Sequence, residues 1–493
     1  MTEISKAAII GAGVIGAGWA ARMALAGIDV TVFDPHPSTE RVVGEVMANA
    51  TRAFARLTTA PLPPVGRIGF AATIEEAVKD TDVIQESVPE RLELKRGVLN
   101  QIDRFARPDA LIGSSTSGLL PSDLQIEMTH PDRLIVAHPF NPVYLLPIVE
   151  IVGGKLTSAA TIDRAKAVYA GIGMKGVPIA REIEAFVGDR LLESMWREAL
   201  WLIKDDICDV ETLDDIMRYG FGLRWAQMGM FQTYRIAGGE AGMRHFIAQF
   251  GPCLKWPWTK YTDVPEMDDE LVDKIASQSD AQAGGLGIRD LERIRDDNLV
   301  AILQALKGGD EGRGWGAGKL LGEFEAGLWA RAKASDAPLD VTRPLLLHQV
   351  RVNPAWIDYN GHMTEFRYLQ VMADATDALL RVIGIDAETA AAGSSYYTVE
   401  THIRHLAEAK LGAALTVETQ VLLGEGKRLH LFHTVLGADG TRHATGEHML
   451  IHVGAGKPCD PAPPVAQRLA AIAAGHAALP KPAAAGRAVG QPK

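Results

Sequence analysis

Ala7-Ala8-Ile9-Ile10-Gly11-Ala12-Gly13-Val14-Ile15-Gly16, followed by Trp19–Ala26 and then Val30-Thr31-Val32-Phe33-Asp34, decides how this chain begins to fold. An apolar run, a glycine turn, a helix-forming stretch and a second apolar run ending in an acidic residue read as strand, turn, helix, strand. Further short apolar runs at Asp82–Ile84, Leu111–Gly113 and Leu134–Ala137 are separated by helical stretches. Short buried strands alternating with helices predict a parallel, doubly wound α/β sheet over residues 1–182.

The glycines give that sheet a use. In a turn between strand and helix, Gly11 makes the tight bend, Gly13 lets backbone approach a pyrophosphate, and Gly16 lets the helix pack closely on the strand. The helix N-terminus supplies free N–H groups and positive potential for phosphate. Asp34 ends the next strand about 20 residues on, where a carboxylate accepts ribose hydroxyls and repels a 2′-phosphate. The expected cofactor is therefore NAD rather than NADP, in a Rossmann-like domain.

Outward from this domain the texture changes twice. From Glu184, Leu191, Leu192, Met195, Ala199 and Leu202 recur at helical spacing, and amphipathic stretches continue to about Leu306. This predicts an all-helical domain over 183–330, with Gly308–Gly318 as flexible punctuation and Leu320–Lys333 as a short helix. From Leu345 a strand-like run leads to a helix carrying Leu369, Met372, Ala373, Thr376, Leu380 and Ile383 on one face. Period-two alternation then places Leu415, Val417, Thr419 and Val421 against Thr416, Glu418 and Gln420. One helix followed by antiparallel strands predicts a separate α+β domain over 343–455. His476–Lys493, rich in Ala, Pro and Gly, reads as a disordered tail.

Composition narrows the classes of function. The 493 residues are 47% hydrophobic and 23% charged, as expected of globular domains. No apolar run reaches the ~18 residues of a membrane span. A net charge of −11 disfavours nucleic acid and anionic membranes as partners. Cys208, Cys253 and Cys459 form no CxxC pair, so no metal or disulfide framework is expected, and the cytoplasm is the expected compartment.

His138-Pro139-Phe140-Asn141-Pro142 follows the apolar run Leu134–Ala137, at the carboxyl end of a strand, where open α/β sheets place ligands. Twelve residues later Glu150 sits inside Pro147-Ile148-Val149-Glu150-Ile151-Val152. A carboxylate in such a run is costly unless paired, and a histidine from the neighbouring segment is the natural partner. Oxidising an alcohol needs a base for the hydroxyl proton, and a carboxylate-held imidazole serves near neutral pH.

These motifs, with Glu86-Ser87-Val88-Pro89-Glu90, Lys95 and Ser114-Ser115-Thr116-Ser117, resemble the 3-hydroxyacyl-CoA dehydrogenase superfamily over about residues 4–305. The resemblance implies His138 as general base and Glu150 as its orienter. It further implies Asn141 and Ser117 as hydrogen-bonding groups around the substrate oxygen and nicotinamide, and Glu90 and Lys95 beside the cofactor. Two departures carry information. In Glu184-Ala185-Phe186-Val187-Gly188-Asp189-Arg190, Asp189 stands where the family usually has asparagine, and the region between Asp34 and Glu86 is short and lysine-poor. Both disfavour CoA as the substrate carrier at this site.

The helical region contains Trp196, Trp201, Tyr219, Phe221, Trp225, Phe231, Tyr234, Trp256, Trp258 and Tyr261. Aromatic faces attract a quaternary ammonium, especially beside a carboxylate such as Asp189. Arg224 could clamp a free carboxylate, with Trp225 next to it. The pattern resembles the carnitine-type branch of the superfamily and, more distantly, the gulonate branch, implying a quaternary-ammonium hydroxy acid as substrate. The bland alternative is that these aromatics pack a core and a dimer interface.

Trp356-Ile357-Asp358-Tyr359-Asn360-Gly361-His362-Met363, between a strand and a helix, resembles the hot-dog acyl-CoA thioesterases. That likeness implies acyl-CoA as ligand, Asp358 as the catalytic carboxylate and His362 as a structural residue. It also implies dimerisation, so a homodimer is expected. Many members carry an asparagine where this chain has Thr364-Glu365-Phe366. A fused thioesterase that releases betaine from betainyl-CoA would follow carnitine oxidation.

Overall fold

The computed structural model describes residues 4–58, 60–252, 259–260, 263–331, 339–352, 356–386, 389–390 and 392–487. Two compact units emerge, Met1–Leu57 with Leu62–Phe324, and Glu325–Lys493 with Thr58–Pro61. The expected boundary near residue 182 falls inside the first unit.

That unit begins with β1 (Lys6–Ile10), α1 (Val14–Leu25), β2 (Asp29–Phe33), α2 (Thr39–Leu57), β3 (Ile68–Phe70), α3 (Ile74–Val78), β4 (Val83–Glu86) and α4 (Leu92–Phe105). It continues through β5 (Leu111–Ser114), α5 (Pro121–Leu124), β6 (Leu134–Pro139), β7 (Ile148–Gly153), α6 (Ala159–Gly171) and β8 (Lys175–Ile179). Among the described residues the sheet runs β3-β2-β1-β4-β5-β6-β7-β8. Neighbours are parallel except β6 and β7, which pair antiparallel. Period-two alternation explains the two apolar layers: Ala7 and Ile9 of β1 face one with α1, while Ala8 and Ile10 face the other with Leu99 and Ile102 of α4.

A helical layer follows: α7 (Gly188–Lys204), α8 (Val210–Ile216), α9 (Gly222–Ala237), α10 (Gly242–Phe250), α11 (Asp269–Ala283), α12 (Ile288–Gly308) and α13 (Ala317–Arg331). It shares an apolar seam with the sheet domain, in which Ala21, Leu25, Ala50, Phe54, Tyr144 and Leu145 pack with Val300, Leu303 and Leu321. Charge pairs stitch α2 to α12: Arg289 to Glu45 at 2.7 Å, Arg52 to Asp297 at 2.5 Å, and Arg56 to Asp297. Between β2 and β3 the chain has this single helix, and Arg41, Arg52 and Arg56 all face acidic partners.

The second unit contains β9 (Leu345–Arg351), α14 (Glu365–Ile383), β10 (Ser395–His405), β11 (Ala414–Glu425), β12 (Arg428–Gly437), β13 (Arg442–Gly454), β14 (Lys457–Pro458) and α15 (Pro463–His476). Its sheet is antiparallel in the order β10-β13-β12-β11-β9, with β14 on β13. α14 buries Val371, Met372, Ala375, Leu379 and Ile383 against the face formed by Leu415, Val417, Val421, Leu429, Leu431 and Val435. This is the hot-dog arrangement of one helix on an antiparallel sheet.

Three features depart from the sequence reading, the first being the antiparallel β6–β7 pair in a sheet expected to be parallel. The sequence pattern had assigned no helix to Pro463–His476, yet α15 inserts Val465, Leu469 and Ile472 into that core. The expected disordered tail is also ordered as far as Arg487. His476 is buried, accepting the Val421 N–H at 2.9 Å where β9 no longer pairs with β11. Gly486 donates its N–H to Glu447 at 2.8 Å. Small residues without periodicity still fold when backbone groups find partners on a neighbouring sheet. Residues 488–493 lie outside the described residues.

Candidate active site

The glycine turn has the geometry its spacing implies. Gly11 has φ +90°, and an added Cβ would lie 2.7 Å from Ser87 backbone. A Cβ on Gly16 would lie 1.9 Å from the Gly11 carbonyl oxygen, so the third glycine lets α1 close on the turn. At Gly13 a Cβ would meet no protein atom, which leaves the space in front of α1 open. No side chain caps α1, so its first N–H groups face that space. Asp34 accepts the N–H of Ala12 at 2.7 Å and of His36 at 2.8 Å, which fixes the turn and holds the carboxylate at its rim. These features fit a dinucleotide pyrophosphate and its ribose.

Across the sheet, β6 and β7 pair so that His138 stands directly opposite Glu150. His138 Nδ1 donates to Glu150 Oε2 at 2.9 Å, which leaves Nε2 as the acceptor nitrogen. Glu150 Oε1 accepts the N–H groups of Val187 and Gly188 at 3.2 and 3.0 Å, at the start of α7. Burial works to raise the Glu150 pKa. The hydrogen bonds from His138 and from the Gly188 and Val187 N–H groups outweigh it, and the carboxyl is held below its ordinary value. Phe140 and Phe186 flank the imidazole, with ring centroids 5.2 and 5.6 Å away.

The approach of α7 depends on backbone that few residues adopt. Ala185 and Phe186 are both left-handed, at φ +58° and +48°. That turn sends Phe186 into the core and aims the next two N–H groups at Glu150. Gly188 is required there, since a Cβ would lie 2.3 Å from Phe140 Cζ.

Asp189 follows immediately, with Oδ2 3.6 Å from His138 Nε2. Its pKa is raised, first by burial and then by the charges of Glu150, Glu193 and Glu90, against a lowering by His138. Glu90 Oε1 accepts the N–H groups of Ser117 and Gly118, both at 3.1 Å, and the Thr116 hydroxyl. It thereby shapes the loop that presents Ser117. Ser117 and Asn141 are both exposed. Lys95 is 1% exposed; its Nζ donates to Glu86 Oε1 at 2.9 Å and Val88 O at 3.0 Å, and lies 3.5 Å from Glu90. Its ammonium is therefore engaged by protein partners beneath the loop that carries Glu90.

The aromatic region gives less. Trp225 packs on Phe221 at 4.7 Å, and exposed Arg224 has no partner among the described residues. Among those residues no hydrogen bond or ion pair joins Arg224 or Trp225 to His138, Glu150 or Asp189. Lys260 lies over the Trp201 ring at 3.8 Å, so that indole already holds a cation. Trp256, Trp258 and Tyr261 lie outside the described residues.

Sequence reasoning missed the polar network behind the site. Trp19 Nε1 and Gln85 Nε2 donate to Ser115 Oγ at 3.1 and 2.7 Å, and Tyr169 OH donates to Gln85 at 3.1 Å. The one available signal was a glutamine after the apolar pair Val83-Ile84, inside a strand that ends at Glu86.

In the second unit, Asp358 Oδ1 accepts the N–H groups of Asn360 and His362 at 2.9 and 3.3 Å, an Asx turn closed by Gly361 at φ +80°. Oδ2 has no hydrogen bond among the described residues. His362 Nε2 pairs with Glu408 at 2.9 Å, and Tyr359 beside them is 97% exposed. Between α14 and the sheet, buried His433 bridges Thr376 and Thr419 at 2.9 and 3.0 Å, and its ring meets His448 at 5.0 Å.

The nucleotide turn and the imidazole–carboxylate pair at one edge of a doubly wound sheet define an NAD-dependent alcohol dehydrogenase. Residues 6–183 match the 3-hydroxyacyl-CoA dehydrogenase NAD binding domain, 186–277 its C-terminal domain, and 352–469 the thioesterase-like superfamily. A relative from Rhizobium meliloti (strain 1021), named L-carnitine dehydrogenase/betainyl-CoA thioesterase, is 66% identical over the full length of both chains. One from Mesorhizobium japonicum, named L-carnitine dehydrogenase, is 67% identical over 66% of this chain and 89% of its own. Among solved structures, an NAD+ dependent dismutase, 5-formyl-3-hydroxy-2-methylpyridine 4-carboxylic acid 5-dehydrogenase, is similar with a TM-score of 0.53. It is 26% identical and covers 62% of this chain and 99% of its own. The chain belongs to the 3-hydroxyacyl-CoA dehydrogenase family, in the branch fused to a thioesterase-like domain. It is a bifunctional enzyme, an oxidoreductase and a thioester hydrolase, with NAD as cofactor.

Proposed function

We propose that the first site oxidises the 3-hydroxyl of L-carnitine to 3-dehydrocarnitine, and that the second hydrolyses betainyl-CoA. The observation that carries the first assignment is the Asp189 carboxylate 3.6 Å from the base nitrogen. In carnitine the trimethylammonium nitrogen is two bonds from the carbinol carbon. A base in reach of the hydroxyl therefore needs the counter-ion of that cation close to itself, and Asp189 occupies that place. The names of the full-length relatives support the same substrates.

NAD+, when bound, supplies the hydride acceptor. His138 Nε2 takes the hydroxyl proton while Glu150 holds the ring in the tautomer that leaves Nε2 free. Ser117 and Asn141 hydrogen-bond the substrate oxygens. Residues 1–182 carry the cofactor and the base, 183–330 complete the substrate site, and 343–455 take the acyl-CoA. In the second site Asp358 Oδ2 activates water, or attacks the thioester itself, with the start of α14 polarising the carbonyl. A 3-hydroxyacyl-CoA substrate is disfavoured at the first site, because the arginines of α2 are engaged with acids and offer CoA phosphates no free cation. A cytoplasmic homodimer accounts for the exposed apolar side chains of the helical layer, among them Trp196, Phe231 and Ile247. No helix among the described residues is long and apolar enough to cross a membrane.

The test follows NAD+ reduction at about 340 nm, the nicotinamide absorbance band, with L-carnitine, D-carnitine, L-gulonate and 3-hydroxybutyryl-CoA. Turnover of one carnitine enantiomer, abolished in His138→Ala, supports the reading; turnover of gulonate or the CoA ester alone refutes it. For the second site, Asp358→Ala should abolish betainyl-CoA hydrolysis and leave NAD+ reduction intact.

A further inference from the structure

Oxidation leaves a proton on His138 that must reach solvent before the next turnover, and the surroundings of the ring leave few routes. Nδ1 is bonded to Glu150, whose side chain is 6% exposed and whose other oxygen is occupied by two backbone N–H groups. Phe140 and Phe186 flank the ring. On the Nε2 side stands Asp189, with its side chain 22% exposed, and beyond it Glu193 one turn along α7 and Glu90, 44% exposed, in the loop after β4. Exposure therefore rises from the base through Asp189 toward Glu90.

We propose that Asp189 is a second catalytic residue, which takes the proton from His138 Nε2 and passes it to solvent, and that the bound substrate cation holds this exit shut. The inference rests on the carnitine reading above. The steps balance. The carbinol C–H leaves as hydride to NAD+, and the hydroxyl proton moves to Nε2 as the carbonyl forms. The Nε2–H bond then breaks as an Oδ2–H bond forms, and Asp189 releases the proton to water. Overall, one alcohol and NAD+ give one ketone, NADH and H+. A quaternary ammonium has no N–H and cannot carry the proton itself.

The gating follows from charge. Burial and the carboxylates of Glu150, Glu193 and Glu90 favour the protonated form of Asp189, with His138 opposing. A trimethylammonium seated against Asp189 adds positive charge and favours its ionised form. While cationic substrate or product is bound, the proton stays on His138, ready for the reverse reduction. When product leaves, Asp189 regains its affinity for the proton.

Stopped-flow measurements on the full chain test this with two signals, NADH absorbance and a pH indicator for released protons. In the wild type, proton release should lag the first-turnover NADH burst and keep pace with product release. In Asp189→Asn, the burst should persist at saturating L-carnitine while steady-state kcat falls about 100-fold, the lower end of the range for a lost proton-transfer group. Added acetate should restore kcat in proportion to its concentration. Simultaneous proton release and NADH formation in the wild type would overturn the proposal, even if the variant folds poorly. An Asp189→Asn enzyme with raised KM, unchanged kcat and no acetate effect would also overturn it, leaving Asp189 as counter-ion alone. An unchanged KM together with an unchanged preference for cationic substrates would instead overturn the carnitine reading.

Discussion

Replacing Glu150 with glutamine keeps the shape of the side chain and removes one acceptor. Both carboxylate oxygens are in use, Oε2 for the His138 Nδ1 proton at 2.9 Å and Oε1 for the Val187 and Gly188 N–H groups at 3.2 and 3.0 Å. An amide offers one oxygen, so one side must face its NH2. The backbone donors are fixed by the start of α7, whereas an imidazole can change tautomer. The amide oxygen therefore turns to the backbone, and its NH2 meets Nδ1. His138 then carries its proton on Nε2, the atom that must accept. In serine proteases a carboxylate-to-amide change that imposes the wrong tautomer costs about 10⁴ in kcat. We expect a loss of about 10³–10⁴ here, or about 4–5.5 kcal/mol of barrier. The assay is NAD+ reduction under saturating substrate, with thermal melts to confirm folding. A Glu150→Gln enzyme that kept kcat within about tenfold of wild type would refute the argument, because an imidazole in the wrong tautomer cannot deliver general-base catalysis of the usual size.

Other consequences follow from the same contacts. Gly188→Ala forces a methyl against Phe140, costing about 1–3 kcal/mol of stability; a melting curve reads that cost, and kcat should fall as α7 withdraws from Glu150. Asp189 has a folded pKa above its unfolded value, so its contribution to stability is fully present below the unfolded carboxylate range and lost as pH rises through the folded value. Asp189→Asn should therefore melt higher than wild type at neutral pH and level with it near pH ~4. In the hot-dog unit, burial pushes His433 well down and His448 down to about 4. The unfolded chain takes up those protons first, so that unit should lose stability as pH falls from about 6.5 to 4, on the order of 3 kcal/mol for His448 at full linkage. Calorimetry across that window checks it, and a transition temperature flat with pH would contradict it.

What was legible in the sequence was what period and spacing encode. The Gly11–Gly16 turn, the strand ending at Asp34 and the alternation through Leu415–Val421 each mark a local element, and each is in place. The pairing of His138 and Glu150 was readable because a carboxylate in an apolar run is costly unless paired, although the antiparallel β6–β7 contact that sets them face to face was not expected of a parallel sheet. Asp189 beside Nε2 was visible only as a departure from a family pattern, since its position depends on the left-handed pair Ala185–Phe186, which no propensity favours. The burial of Lys95 and its pairing with Glu86 were not legible, because they depend on tertiary packing that one lysine in a helix does not announce. The tryptophans and Arg224 point the other way, since composition can suggest a cage but cannot say which aromatic faces converge.

The seam joining Phe54, Tyr144 and Leu145 to Val300, Leu303 and Leu321 also sets a schedule for the nascent chain. All eight strands of the nucleotide-binding sheet have been synthesised by Ile179, yet the apolar side of α2 stays uncovered until Leu321 has left the ribosome. At about 5–20 residues per second, that leaves roughly 7–28 seconds in which a complete sheet displays an open hydrophobic flank. Chaperone engagement should concentrate in this interval, and truncations ending between residues 180 and 320 should aggregate. A chain ending just beyond α13 should fold into a working dehydrogenase.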